Sequence, residues 1–160
     1  MCANCVTVSR KILFDIFDAP IHSADDDWRD EAYQDCLALI ICCGADGGIG
    51  TDTGIGGGRA GPREFLVASY GMVPKAHIPP GVKRFSTMNA RAETVGQLRS
   101  FAPSWRAGQL CLIPMHAFFE PNWETDSAVR WKIGMADESP FAAAGVWCDR
   151  LETNVRSIKW

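Results

Sequence analysis

The sequence predicts an α+β domain around a strongly bent, mixed or antiparallel sheet, a partly closed barrel flanked by short helices. Three observations predict it. The apolar runs are short and of mixed spacing, few helical stretches interrupt them, and turn residues punctuate nearly every gap. At 160 residues the chain is long enough for one well-formed core, and no internal repeat or linker divides it.

The first element is a helix. In "SRKILFDIFDAP", Ile12, Leu13, Ile16 and Phe17 fall on one helical face, Ser9 can cap the start and Pro20 stops it. "DDDWRDEAY" reads as an exposed acidic connection, and "CLALIICC" as a buried strand. "GADGGIGTDTGIGGGRAGP" echoes a phosphate-cradling loop. It lacks the Gly-Lys-Ser/Thr ending, however, and a strand, "REFLVASYGMVP", follows it rather than a helix, so it reads as a hairpin connection. "MNARAETVGQLRSF" starts irregular and turns helical near Glu93, and "PSWRAGQ" is a turn. "LCLIP" and "AFFEP" read as two strands around a short corner. "AVRWKIGM" and "FAAAGVW" are two more, joined by a tight turn at "ADESP".

Composition excludes several classes. Apolar residues make up 47% and charged residues 22%, as in an ordinary globular protein. No apolar run approaches the ~18 residues that cross a bilayer, and no secretory signal opens the chain. A cytoplasmic chain with reduced thiols follows, and an odd count of 7 cysteines agrees with the absence of a disulfide framework. Net charge is −3, yet it is unevenly spread. Residues 14–35 hold eight acids against Arg29, whereas residues 75–106 hold six bases (Lys75, Lys83, Arg84, Arg91, Arg99, Arg106) against Glu93. That segment is a candidate phosphate-binding face; a solvated surface is the plainer reading.

The chain begins "MCANC". Removal of Met1 would leave Cys2 with an α-amine and a thiol on adjacent carbons. Both ordinarily titrate near enough to neutral to be partly nucleophilic. The amine can form a Schiff base with an aldehyde and the thiol can close onto it, giving a thiazolidine. The same residue can equally be the start of a strand. Cys2 and Cys5 form a Cys-x-x-Cys, but the adjacent Cys42 and Cys43 would point to opposite faces of a strand, so no metal site is expected. In "NARAET", Asn89 offers a donor and an acceptor, Arg91 a fork suited to phosphate, and Glu93 and Thr94 a helix cap. Glu120 stands between two aromatics and Pro121, a setting that holds a carboxylate back from water and suits proton transfer; a strand-end ion pair with an arginine is the plainer reading. His22, His77 and His116 lack a second histidine at ligand spacing. A cysteine hydrolase pairing Cys2 or Cys111 with His116 is a third and weaker possibility. The six tryptophans offer flat faces for bases or for a core.

"MC", "YGMVP", "NARAETV", "CLIPMHAFFEPNWE" and "PFAAAGVW", in this order, resemble the SOS response-associated peptidase (SRAP) family, the abasic-site processing proteins. The resemblance runs from residue 1 to about 147. It implies a compact α+β fold with a barrel-like sheet and, as partner, single-stranded DNA containing abasic sites, with no cofactor, metal or membrane. It implies that Cys2, freed of Met1, forms a covalent thiazolidine cross-link to the ring-opened sugar, a lyase-like chemistry. Asn89 would hold the cysteine and the sugar, Glu120 would assist proton transfers, and Arg91 would grip the DNA backbone. Lys75, Lys83, Arg84 and Tyr70 would complete the DNA-binding face, Tyr70 standing where the family usually has tryptophan. The family's self-cleavage removes longer leaders, so no general proteolysis is expected. The family's pattern continues into a segment with a histidine beside an arginine, which the sequence here, ending "RSIKW", does not contain. The expectation is thus a single domain, 1–160, without the family's C-terminal strands. A catalytically impaired remnant that at most binds single-stranded DNA non-covalently is the alternative.

Overall fold

The computed structural model describes residues 4–17, 28–43, 63–83, 86–124, 126–148 and 156–159. The acidic stretch up to residue 27, including Pro20 and His22, and the glycine-rich stretch 44–62 lie outside the described residues.

Among the described residues eight strands form one sheet: β1 (Asn4–Thr7), β2 (Glu31–Tyr33), β3 (Leu37–Cys43), β4 (Arg63–Tyr70), β5 (Leu110–Asn122), β6 (Val129–Gly134), β7 (Phe141–Cys148) and β8 (Arg156–Lys159). Among the described residues two short helices, α1 (Arg10–Phe17) and α2 (Ala102–Arg106), and a 3-10 turn at Lys75–His77 accompany the sheet. The strand order is β2-β1-β5-β3-β4-β8-β7, with β6 attached to β5. β7 also pairs with β5, so the path bends back to its own middle. Every pairing is antiparallel except β4 with β8. The sheet is therefore the expected bent, mostly antiparallel one.

β5 is the spine. Along one of its edges run β1, opposite residues 115–119, and β3, opposite 111–112. Along the other run β6, opposite 117–122, and β7, opposite 110–115. The sequence suggested two strands around a corner in this stretch. A single strand of 13 residues forms instead, and the irregularity survives as a register shift where Val6 and Thr7 face Ala117 and Met115. Its cause is backbone pairing: two partners on each edge satisfy the amides that a corner would have exposed.

Burial follows the pleat. Cys111, Ile113 and Met115 from β5 join Ile40 and Cys42 of β3, Ala68 and Tyr70 of β4, Cys5 and Ala32 in the main core. The other face of β3 and β4, with Leu39, Ile41 and Phe65, is covered by α1 through Leu13, Ile12 and Phe17. Ser9 caps that helix, its Oγ accepting from the Ile12 amide at 3.4 Å. Leu13 is fully buried while Ile16 is exposed, so the apolar face is narrower than its spacing predicts. A third cluster joins Met72, Val95, Phe101 and Val146.

The helix expected from Glu93 is a run of turns. Amides of Val95, Leu98 and Ala102 reach back to carbonyls of Arg91, Thr94 and Leu98, and the regular helix begins only at Ala102 and runs on into the stretch read as a turn. Pro103 explains the shift: it fits the first turn of a helix and cannot occupy its interior.

Candidate active site

β1 starts beside the far end of β5, Asn4 facing Phe119 and Cys5 facing Phe118. Asn4 is 1% exposed, and its Nδ2 donates to Glu31 Oε2 at 2.9 Å. The same carboxylate accepts from the Tyr33 hydroxyl and from Arg130 Nη2 at 3.0 Å. The Arg130 guanidinium in turn lies 3.5 Å from the centre of the Phe119 ring. The Tyr33 hydrogen bond chiefly, with help from Arg130 and Lys132, holds the Glu31 carboxyl below its ordinary range. The same bond raises Tyr33. Four segments are thereby tied together at the root of the N-terminus.

Cys2 lies outside the described residues. Only Ala3 separates it from Asn4 in sequence.

Glu120 is half-buried on β5. It faces Trp131 of β6, one pleat beyond the Phe118–Ile133 pair. Phe118 packs on the main core, edge-on to Phe141, so Glu120 stands where that core meets the surface.

The "NARAET" segment reaches the same core. Met88 packs against it and Asn89, half-buried, follows directly. Thr87, 0% exposed, anchors the segment: its Oγ1 accepts from the Val73 amide at 3.2 Å and its carbonyl from the Met72 amide at 3.4 Å. Gly71 makes the turn between β4 and this segment: its φ of +110° is one that an L side chain rarely adopts, while a Cβ there would meet Gln34 and the Thr87 hydroxyl only at ordinary contact distances. Ala90 turns to the third core cluster, leaving Arg91 exposed.

Lys75, Lys83, Arg91, Arg99 and Arg106 are all exposed; Arg84 lies outside the described residues. Tyr70 is a correction. It is 1% exposed and among the largest fully buried side chains, so its ring has no face to offer a base. β4 turns it inward because Ala68 and Tyr70 share the core face. The Cys111–His116 pairing also fails. Five residues along a strand separate the two by ~17 Å, and burial, with Cys42 nearby, pushes the Cys111 thiol well up and away from thiolate chemistry. An apolar cavity of ≈ 590 Å³ lies between β3, β5, β7 and Trp105, lined by Ala90 and Ala92 but by none of Asn89, Arg91 or Glu120. Among the described residues no group of three His, Cys, Asp or Glu side chains could hold a metal ion, and no helix is long and apolar enough to cross a membrane.

Sequence reasoning offered β1 only as a possible strand start at Cys2 and missed β2 and β8, and with them the Asn4–Glu31–Arg130 cluster. Its members lie 27 and 99 residues apart, and only the strand register brings them together.

Fold and site together define a bent-sheet α+β domain in which the N-terminal strand, a turn-rich basic segment and the end of the central strand meet on one core. A crystal structure of a protein from Bordetella bronchiseptica shares this fold, with a TM-score of 0.71 at 23% identity over 99% of this chain and 70% of that one. None of the curated proteins matches the chain. The family described as SOS response associated peptidase (SRAP) matches residues 33–158, and the chain belongs to that family. Membership gives it a DNA-damage-associated role.

Proposed function

We propose that the chain recognises single-stranded DNA containing abasic sites and forms a covalent cross-link through Cys2 once Met1 is removed. One observation carries the reading. Cys5, Met88 and Phe118 pack on a single core cluster, and Cys2, Asn89 and Glu120 are each within three residues of one of them. The three candidate residues are remote in sequence, and the shared core of their neighbours supports the reading.

The chemistry balances simply. The α-amine of Cys2 adds to the sugar aldehyde, the carbinolamine loses one water, and the thiol adds across the resulting C=N bond to close the thiazolidine. Glu120 carries the proton to the departing hydroxyl and between thiol and nitrogen. Asn89 holds the sugar and the cysteine through its paired donor and acceptor. Arg91 grips a phosphate, and Lys75, Lys83 and Arg84 extend the basic track.

The test is a denaturing gel of the protein with an oligonucleotide bearing one abasic site. A band that survives denaturation, is lost with Cys2→Ala and forms ~10²–10⁴ times more slowly with Glu120→Gln is expected. Folded protein free of Met1 that gives no such band would sink the covalent reading and leave a non-covalent single-strand binder.

A further inference from the structure

β6 presents Val129, Trp131 and Ile133 on one face, and all three are exposed. Trp131 is 50% exposed, unusual for a residue type that is mostly buried. The intervening Arg130 and Lys132 belong to the opposite face, where Arg130 joins Glu31. β6 pairs with β5 alone, so among the described residues no strand covers its other edge. Trp131 is the direct cross-strand partner of Glu120, which puts their Cβ atoms ~4.5–5.5 Å apart on one face.

We propose that Trp131 is the stacking platform for the base that flanks the abasic sugar. This rests on the function proposed above. Loss of a base leaves its neighbour with one face unstacked and in water. A half-exposed indole beside the carboxylate that serves the sugar is placed to cover that face. Stacking on an aromatic ring is tolerant of base identity, as a damage-recognition surface requires, and favours the larger purine face. Trp131 is thus a binding and positioning residue, and the proton transfers stay with Glu120.

The test uses fluorescence anisotropy with a single-stranded oligonucleotide in which a tetrahydrofuran replaces the abasic sugar. It has no aldehyde, so only non-covalent binding is read. Trp131→Leu keeps an apolar strand residue and removes the ring; Trp131→Phe keeps a ring. We expect Trp131→Leu to weaken binding about tenfold with a flanking purine and less with a pyrimidine. Trp131→Phe should stay within about threefold of wild type. The loss should shrink on an intact strand, where the flanking base already has a neighbour. Wild-type affinity in Trp131→Leu, or an equal loss on intact and abasic strands, overturns the platform while leaving the proposed function standing. Failure of the wild-type protein to bind either strand overturns both. A dimer that dissociates in Trp131→Leu, with DNA affinity unchanged, would assign the stripe to a second copy of the chain and overturn the platform equally.

Discussion

The Asn4 side chain donates to Glu31 Oε2 at 2.9 Å, and Arg130 and Tyr33 donate to the same oxygen. This contact fixes the root of the segment that carries Cys2. Replacing Glu31 with Ala should free that root and slow cross-linking by up to ~10²-fold, because misplacing a reacting group costs that much even when the group itself is intact. Non-covalent DNA affinity should change little. The dependence on pH has a definite sign. The folded state holds the Glu31 carboxyl below its ordinary value, so its contribution is complete above the ordinary carboxylate range and is lost as pH falls through the lowered value. Melting temperatures of wild type and Glu31→Gln, compared across acid pH, should differ near neutrality and converge in acid.

Gly71 joins the end of β4 to the segment that Thr87 holds. Its φ of +110° is one that an L side chain rarely adopts. Gly71→Ala should cost about 1–3 kcal/mol, read as a lower denaturation midpoint. Tyr70 beside it is core, so Tyr70→Ala should cost about 3–5 kcal/mol. Tyr70→Phe should leave DNA affinity unchanged. A Tyr70→Phe variant with normal stability and weak DNA binding would return the residue to the interface.

Cys111 and Cys42 face each other across β5 and β3, both buried. Burial first, and Cys42 second, raises the Cys111 thiol above its ordinary value. Native protein treated with iodoacetamide at mildly alkaline pH should therefore modify Cys111 far more slowly than denatured protein does, as mass spectrometry of the peptides can read. The linked stability is complete below the ordinary thiol pKa and declines as pH rises above it, because only the unfolded thiol then ionises.

The strands of the middle and end of the chain were legible where the apolar runs were bounded by turn residues, as in β3, β4, β6 and β7. β1 and β2 were not, because they are four and three residues long and owe their form to pairing with β5 and each other. β5 was split at Pro114 and His116, where local propensity predicted a corner; two partners on each edge overrode it. Asn89, Arg91 and Glu120 stood out as polar residues among apolar ones. Tyr70 misled because an aromatic before a glycine looks the same whether its strand turns it in or out. Trp131 gave no signal beyond its residue type, since its significance is its register against Glu120.

Arg91 is the sharpest test of the basic segment. Its backbone carbonyl accepts from the amides of Thr94 and Val95, and its side chain is left exposed while Ala90 is turned to the core. Replacing the side chain should therefore leave the fold unchanged. If Arg91 meets a phosphate, Arg91→Ala should weaken binding to single strands of every sequence and lower the slope of log affinity against log salt by about 0.7, the value for one phosphate contact on a single strand. Arg99→Ala serves as the comparison, because Arg99 is exposed on the same segment but outside the "NARAET" motif. Anisotropy titrations at several salt concentrations read both quantities. A slope unchanged in Arg91→Ala but lowered in Arg99→Ala would move the phosphate track away from Asn89 and toward the α2 end of the segment.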